Sequence, residues 1–196
     1  CMPGSARGEL AYPDRALPRS THVSVRHSLA SKAAPALELL GEYPDVFDLH
    51  VHQDVLLVNW YGLVTAQALP QFDALCAQWR ERSMQPTSCV QLLTAPVSRL
   101  PDAEAREELT RINREYDSMI ACCAVLIPVQ GFIGSAVRGL VTAIALKTRR
   151  TQATLKIVGT NEAAVEWLVP AHRTATGREL ESAPLLAALN QVLAQH

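Results

Sequence analysis

Residues 119–128 read MIACCAVLIP, a stretch in which apolar side chains follow one another without a single charge. An exposed strand alternates apolar and polar residues, whereas a strand of a parallel sheet is covered on both faces by helices. The stretch therefore predicts a strand that is buried on both faces of a sheet. The next segment, from about Phe132 to Lys147, is apolar nearly all round apart from Arg138, which predicts a well-covered helix.

The same region raises the alternative of a membrane span. Residues 119–137 carry no charge and approach the roughly 20 residues that a helix needs to cross a bilayer. Pro128, Gln130, Gly131 and Gly134 interrupt this stretch, and no other segment is comparably long and apolar. We therefore interpret it as a buried strand followed by a buried helix and predict no membrane span.

Upstream, the pattern predicts a β-hairpin. Residues 46–52 (VFDLHVH) alternate apolar and polar side chains, and residues 54–60 (DVLLVNW) form an apolar, β-branched run. Gln53 and Asp54 provide a tight turn between the two strands. Gly62 then ends the second strand.

Two amphipathic helices are predicted on either side of a strand at residues 88–93. Thr65 is the expected cap of the first helix, and Asp102 is the expected cap of the second. The first helix places Leu69, Phe72, Cys76 and Trp79 on one face. The second places Ala105, Leu109, Ile112 and Tyr116 on one stripe.

The last third of the chain predicts one more strand and two helices. Residues 154–158 form the strand, a capped turn at 159–162 leads into a short helix at 163–168, and residues 170–177 are expected to be a linker. The final helix, residues 179–195, must dock its apolar stripe on the domain or on a neighbouring subunit. The residues of this predicted interaction helix are Leu185, Leu186, Leu189, Val192 and Leu193.

The order of these elements predicts the fold class and the domain organisation. Residues 1–42, rich in proline, are expected to form an extended arm with a short helix near its end; residues 43–170 an α/β domain; and residues 171–196 a linker and the terminal helix. The sheet is expected to be mixed, with about five strands. The first hairpin is antiparallel, the remaining strands are largely parallel, and helices cover the faces.

Charge and cysteine content narrow the class of partner. The formal net charge is −1 with both signs interspersed, so no broad positive field exists to bind nucleic acid.

The cysteines indicate the redox compartment. Four of the five cysteines lie in predicted strands and helices, which is typical of reduced, buried thiols. No secretory signal pattern is visible in the first forty residues, and we expect a cytoplasmic location.

Several segments together resemble a known family. These are NWYG at residues 59–62, AVLI at 124–127 and KIVGTNEAAVEWL at 156–168. Their arrangement resembles the STAS family of bacterial regulators, in particular its SpoIIAA-like branch, over about residues 46–168. The closing strand, capped turn and Ala-x-x-Trp-Leu ending are the most recognisable part. The resemblance implies a regulatory or scaffold domain that needs no cofactor and acts by surface contact.

The family resemblance also directs attention to one loop. Anti-anti-sigma members of the family carry a phosphorylatable serine in an Asp-x-Ser pattern at the start of the helix after the middle strand. Residues 94–102 read TAPVSRLPD and lack that pattern. Ser98 and Thr94 are the candidate phosphorylation sites, where Arg99 and the helix amides would hold a phosphate. The alternative interpretation is a plain surface loop.

His50 and His52 lie two residues apart, so on a strand they share one face and could begin a metal site. No third or fourth ligand can be assigned from the sequence. We interpret both as polar residues on the exposed face of an outer strand, and predict no metal ligand.

Gly131, Gly134 and Ser135 follow a strand and open a helix, where backbone amides can hold a phosphate or another ligand. Their spacing matches neither the dinucleotide fingerprint nor the P-loop. These residues are candidate ligand contacts, and the alternative is that they let the helix pack closely on the sheet.

No catalytic residue is predicted. The Gly-x-Ser-x-Gly pattern of a nucleophilic serine is absent. Apart from the strand pair, the histidines lie in the tails of the chain, that is, in the predicted arm, in the linker and at the last residue, where a catalytic geometry is hard to hold: His22, His27, His172 and His196. Three tryptophans are expected to anchor the core: Trp60, Trp79 and Trp167.

The sequence therefore predicts a non-enzymatic, STAS-like regulatory or scaffold domain that acts through protein contacts and associates with itself. One alternative is a module that binds a small molecule or a lipid in an apolar pocket near residues 128–136. The other is an unrecognised enzyme, which would require His50 or His52 to lie near a cysteine or a carboxylate in a cleft.

Overall fold

A computed structural model describes residues 36–94, 101–128, 135, 138, 139, 141–143 and 154–195. The strands in this part of the chain are β1 (Glu38–Tyr43), β2 (Phe47–His52), β3 (Val55–Trp60), β4 (Thr87–Leu93), β5 (Ile120–Leu126) and β6 (Thr154–Val158). The helices are α1 (Leu69–Arg82), α2 (Ala103–Tyr116), α3 (Asn161–Thr176) and α4 (Ser182–Leu193), with a 3-10 turn at Asp117–Met119. The strands form one sheet in chain order. β1, β2 and β3 pair antiparallel, and β3 to β6 pair parallel.

The predicted mixed α/β sheet is confirmed, but it has six strands rather than five. The additional strand, β1, lies in the segment that the sequence analysis assigned to the arm and to a short helix. Its sequence, ELLGEY, has no clear period of its own, and its register shifts between Leu39 and Gly41. β1 is a strand because it pairs with β2 across the tight turn at Asp45, where φ is 61°.

Both crossover helices that the structure describes, α1 and α2, lie on one face of the sheet. This follows from the strand order, because right-handed crossovers that advance in one direction must place their helices on the same side. The core on this face contains Phe47, Trp60 and Phe72, with ring centroids of Phe47 and Trp60 5.2 Å apart. Two of the three predicted core anchors, Trp60 and Trp79, lie in this core, whereas Trp167 is only half-buried against the core on the other face.

The opposite face is covered by α3 and α4. Its core contains Leu57 of β3, Leu92 of β4, Leu126 of β5 and Leu168 of α3, each exposed by 1 % or less. The predicted strand that is buried on both faces is confirmed in β5, since Cys122 and Ala124 face this core while Cys123 and Val125 face the other. Within the described ranges, no helix is both long enough and apolar enough to cross a bilayer.

Two of the three helix caps that were predicted from the sequence are confirmed. The carboxylate of Asp102 accepts a hydrogen bond from the Ala105 amide at 2.8 Å, and Thr160 Oγ1 accepts one from the Ala163 amide at 3.2 Å. The expected cap at Thr65 is wrong. A turn separates Thr65 from α1, and Ala68 occupies the cap position without a side-chain hydrogen bond.

The expected short helix and linker between residues 163 and 177 are wrong, because α3 continues through Pro170 to Thr176. Proline removes one helical hydrogen bond, which costs about 3 kcal/mol in a helix interior. Burial of the apolar face of α3, where Ala164 and Leu168 are exposed by 0 %, offsets that cost. Gly177 then ends the helix in the left-handed conformation at φ 71°.

The terminal helix α4 docks on its own domain. Leu185, Leu189 and Val192 are fully buried against the core that α3 and β3 share, and Leu186 and Leu193 are half-buried there. Leu185, Leu189 and Val192 therefore pack within their own domain, and the expected contact of these three side chains with a neighbouring copy is wrong. The predicted division between a domain ending at residue 170 and a separate C-terminal segment is wrong as well, since both contribute to one core.

Candidate functional site

Three polar side chains meet beneath α3, in the interior of the domain. Ser88 Oγ lies 2.7 Å from His172 Nδ1 and 2.9 Å from Cys122 Sγ. Ser88 and Cys122 are register partners on the neighbouring strands β4 and β5, and all three side chains are exposed by 0 %. A serine hydroxyl can donate one hydrogen bond and accept others, so Ser88 can satisfy both contacts at once.

Burial sets the charge state of this cluster. Desolvation lowers the pKa of His172, and the positive charge of Arg178 lowers it further while Asp54 opposes this effect. Desolvation also raises the pKa of the Cys122 thiol, although the hydrogen bond between Cys122 and Ser88 partly offsets the rise. At neutral pH the cluster therefore consists of a neutral imidazole, a hydroxyl and a protonated thiol.

A serine beside a histidine has the residue types of a nucleophile and a general base, but this pair is enclosed. A nucleophile must reach its substrate, whereas Ser88 lies at the beginning of β4 under α3. Ligands of parallel sheets usually bind at the opposite, carboxyl ends of the strands. The arrangement fixes α3 to the sheet rather than presenting a reactive group.

A second set of contacts fixes the loop after α3 to the β2–β3 turn. Arg178 Nη1 pairs with Asp54 Oδ2 at 2.9 Å, and Arg178 Nη2 donates to the carbonyl oxygen of Pro86. The Glu181 amide donates to Gln53 Oε1 at 3.1 Å.

His172 was not predicted as a site residue because it was assigned to a linker. The preceding apolar stripe of Ala164, Val165 and Leu168 was the signal that the helix could continue.

The expectation that His50 and His52 lie on the exposed face of an outer strand is wrong. They are exposed by 4 % and 3 %, because β1 makes β2 an interior strand. His50 Nε2 lies 3.2 Å from Asp48 Oδ1, and burial lowers the pKa of His52. Among the residues that the structure describes, no group of three or more histidine, cysteine, aspartate or glutamate side chains could hold a metal ion.

The histidine and carboxylate contact that an enzyme would require is thus present at His50 and Asp48, but both side chains are buried. Asp48 is exposed by 2 %. Neither side chain is among the residues that line the cavity between the sheet, α1 and α2.

Of the two candidate phosphorylation sites, Thr94 lies at the end of β4 and is half-buried. Its hydroxyl donates to Asn59 Oδ1 at 2.9 Å and lies 3.2 Å from the Trp60 carbonyl oxygen. It therefore ties β4 to β3. Ser98 falls outside the described residues.

Two of the three predicted ligand contacts, Gly131 and Gly134, also lie outside the described residues. Ser135 is described, and it is an exposed helical residue.

A cavity lies between the sheet, α1 and α2. Its volume is about 60 Å3, and the empty space reaches about 460 Å3 when the solvent-open mouth is included. Most of its wall is apolar and comes from β3, α1, α2 and the start of β5. The apolar lining residues are Leu56, Val58, Phe72, Ile112, Met119 and Ile120.

The polar part of the cavity wall carries no formal charge at neutral pH. Trp79 is exposed by 7 %, and its indole Nε1 has no hydrogen-bond partner among the described residues. Burial raises the pKa of Cys76 to about 12. A hydrogen bond with Cys123, together with burial, raises the pKa of Cys89 well above its usual value. Gln91, Asn113 and Tyr116 complete the wall.

Charged side chains join α1 and α2 at the surface next to this cavity. Arg111 of α2 pairs with Asp73 of α1 at 2.5 Å and with Glu108 at 2.7 Å. The Tyr116 hydroxyl donates to Asp73 Oδ1 at 2.9 Å, and Arg80 lies over the Tyr116 ring at 4.9 Å. The wall of this cavity comes from five separate segments, so no single stretch of sequence indicates it, and the pocket expected near residues 128–136 is a different site.

Comparisons with known proteins do not assign the chain to a family. No family model matches it, and neither the curated proteins nor the solved structures contain a significant match.

Proposed function

We propose that this chain is a non-enzymatic, STAS-like domain that regulates or scaffolds other proteins through surface contacts. The observation that carries the proposal is the burial of the described polar cluster beneath α3. Ser88, Cys122 and His172 are exposed by 0 % and hold the fold together, so they offer no accessible nucleophile or base. Their burial supports a role that is carried out by the surface of the domain.

The topology supports the resemblance at the level of the fold. The parallel strands follow chain order from β3 to β6, α1 and α2 share one face, and Thr160 caps the helix after the last strand. These features agree with a STAS-like arrangement over the region where the sequence resembles the family. Buried free cysteines support a reducing location such as the cytoplasm.

The proposed contact element is β1. Among the described strands it pairs with β2 alone, so it forms one edge of the sheet. Leu39 is 52 % exposed on this strand, which is high for a large apolar side chain. Edge strands are common sites of pairing with another chain, including a second copy of the same protein. α4 is not proposed for this role because its stripe is buried.

Site-specific photocrosslinking in living cells tests the proposal. A photoreactive amino acid replaces Leu39 on β1 and, as a control, Gln78, which is exposed on α1. We expect a discrete covalent adduct from position 39 and none from position 78; an adduct of twice the chain mass would identify self-association. The Ser88→Ala chain should give the same adduct. Absence of an adduct at position 39 would reject β1 as the contact element.

A further inference from the structure

We propose that residues 171–181 form a proton-controlled latch, which covers Ser88 and Cys122 at neutral pH and opens locally when His172 takes up a proton. This latch goes beyond the proposed function, because it concerns the end of α3 and the loop after it rather than the contact edge at β1. Three features support the inference: the few buried contacts of the latch, the enclosed position of His172 and the charges around it.

The latch is held in place by few buried side chains. Only His172 and Leu180 are buried among residues 171–181, whereas most of the others are exposed. Pro170 lies directly before the latch and cannot donate a helical hydrogen bond, so α3 is weakest where the latch begins. A region with few buried contacts opens at a lower cost in free energy than the core does.

Both ends of the latch stay anchored when it opens. Leu168 of α3 and Leu185 and Leu189 of α4 are fully buried in the core that these two helices share. Opening therefore breaks only the contacts of the latch itself with β4, the loop before β4 and the β2–β3 turn. These polar contacts join His172 to Ser88, Arg178 to Asp54 and Pro86, and Glu181 to Gln53.

The enclosure of His172 fits the neutral imidazole and not the imidazolium. Its Nδ1 lies 2.7 Å from Ser88 Oγ, and its Nε2 has no hydrogen-bond partner among the described residues. An imidazolium carries an N–H on both nitrogens, so protonation would leave a charged donor unpaired at a position of 0 % exposure. A buried, unpaired charge is costly, and opening of the latch removes that cost by returning the ring to water.

The groups around His172 have the same effect on balance. Burial lowers the pKa of His172 from its usual value of 6.5, and Arg178 lowers it further while Asp54 opposes this effect. The Cys122 thiol on β5 stays protonated, because burial raises its pKa. α4 has no titratable side chain, and Lys156 of β6 is exposed. The other charged residues of the latch are exposed: Arg173, Glu179 and Glu181.

The closed latch therefore binds a proton on His172 less tightly than the open latch does. In the open state the imidazole titrates near its usual pKa of about 6.5, and in the closed state it titrates at lower pH. As the pH falls from about 7.5 to 5.5, the opening constant should rise by up to about tenfold, and it should be constant at higher pH.

Hydrogen exchange of the full-length chain, measured by mass spectrometry across this pH range, tests the inference. Peptides that cover residues 171–181 report the latch, and peptides from β3 report opening of the whole domain. Opening constants are compared after correction for the chemical exchange rate at each pH. We expect the opening constant of the latch to rise by at least about twofold, and by a larger factor than that of β3.

Two variants assign the effect to one side chain. His172→Gln keeps a group that can hydrogen-bond to Ser88 but does not titrate, so it should remove the rise. His52→Gln removes another buried histidine whose pKa is lowered by burial, and it should leave the rise unchanged. The readout is the change with pH, so a different stability of either variant at neutral pH does not alter the comparison.

The inference is overturned by a rise of less than about twofold in the latch peptides of the unmodified chain, since the latch would then not respond to protons. An equal rise in the β3 peptides would also overturn it, because the domain would then unfold as a whole. Both results are read from the unmodified chain and do not depend on the folding of a variant. A rise that persists in His172→Gln, or disappears in His52→Gln, would overturn the assignment to His172.

Discussion

His172 Nδ1 lies 2.7 Å from Ser88 Oγ, although the two residues are 84 positions apart in the chain. His172 lies in the part of α3 that was expected to be a linker, and Ser88 is the second residue of the buried strand β4. Their hydrogen bond, with Cys122 as a third member, joins α3 to the centre of the sheet. This cluster makes a direct prediction about stability.

Replacing Ser88 by alanine should destabilise the domain. The change leaves His172 Nδ1 and Cys122 without their shared partner in a fully buried position, and a buried polar group without a partner costs about 1–3 kcal/mol. Urea unfolding followed by far-UV circular dichroism measures the loss. Ser118→Ala, at an exposed position, is the matched control and should change the free energy of unfolding by less than about 0.5 kcal/mol. Equal effects of the two changes would contradict a stabilising role for the cluster.

The stability of the fold should fall as the pH is lowered below about 6.5. Burial lowers the pKa of His172 and of His52 in the folded state from their usual value of 6.5, so the unfolded chain takes up their protons first. Above that pH both states hold neutral imidazoles and these two groups contribute no slope. Each group can contribute at most about 1.4 kcal/mol per pH unit between its unfolded and folded pKa values.

Urea unfolding at a series of pH values between 7.5 and 5, spanning about the range where histidine titrates, measures this slope. The variant His172→Gln should have a shallower slope than the unmodified chain below pH 6.5, about the unperturbed histidine pKa. An unchanged slope in that variant would show that His172 does not resist protonation in the folded state.

Gly62→Ala should destabilise the contact between the end of β3 and the β1–β2 turn by about 2–4 kcal/mol. A Cβ atom at this position would lie 1.7 Å from the carbonyl oxygen of Asp45, which is backbone and cannot rotate away. The Gly62 amide also donates to the Val46 carbonyl oxygen at 3.0 Å. Thermal unfolding measures the effect. Gly159→Ala is the control, since a Cβ atom there meets nothing within 4 Å, and a comparable loss in both variants would argue against the close approach.

Truncating the stripe of α4 should lower stability without changing association. Leu189→Ala removes a fully buried side chain and should cost about 2–5 kcal/mol. Leu186→Ala, at a half-buried position on the same helix, should cost clearly less. Light scattering should give the same oligomeric mass for both variants as for the unmodified chain. A variant that changed its mass but kept its stability would return α4 to the role of an interaction helix.

Local patterns in the sequence were sufficient wherever one element decides its own form. The run at residues 119–128 predicted the buried strand β5, alternation and a tight turn predicted the hairpin of β2 and β3, and Asp102 predicted the start of α2. Each of these signals depends on residues a few positions apart. Periodicity and capping are short-range properties, so they can be read without knowing what the element packs against.

Tertiary structure alone decided the features on which the candidate sites depend. β1 is a strand because β2 pairs with it, and that pairing buries His50 and His52. α3 passes Pro170 because the burial of its inner face outweighs one lost hydrogen bond, and only then does His172 reach Ser88. The cavity beside Trp79 likewise exists only where separate segments fail to fill the space between them. Burial, partners and empty space are set by residues that are distant in the chain, and a pattern read along one segment does not contain them.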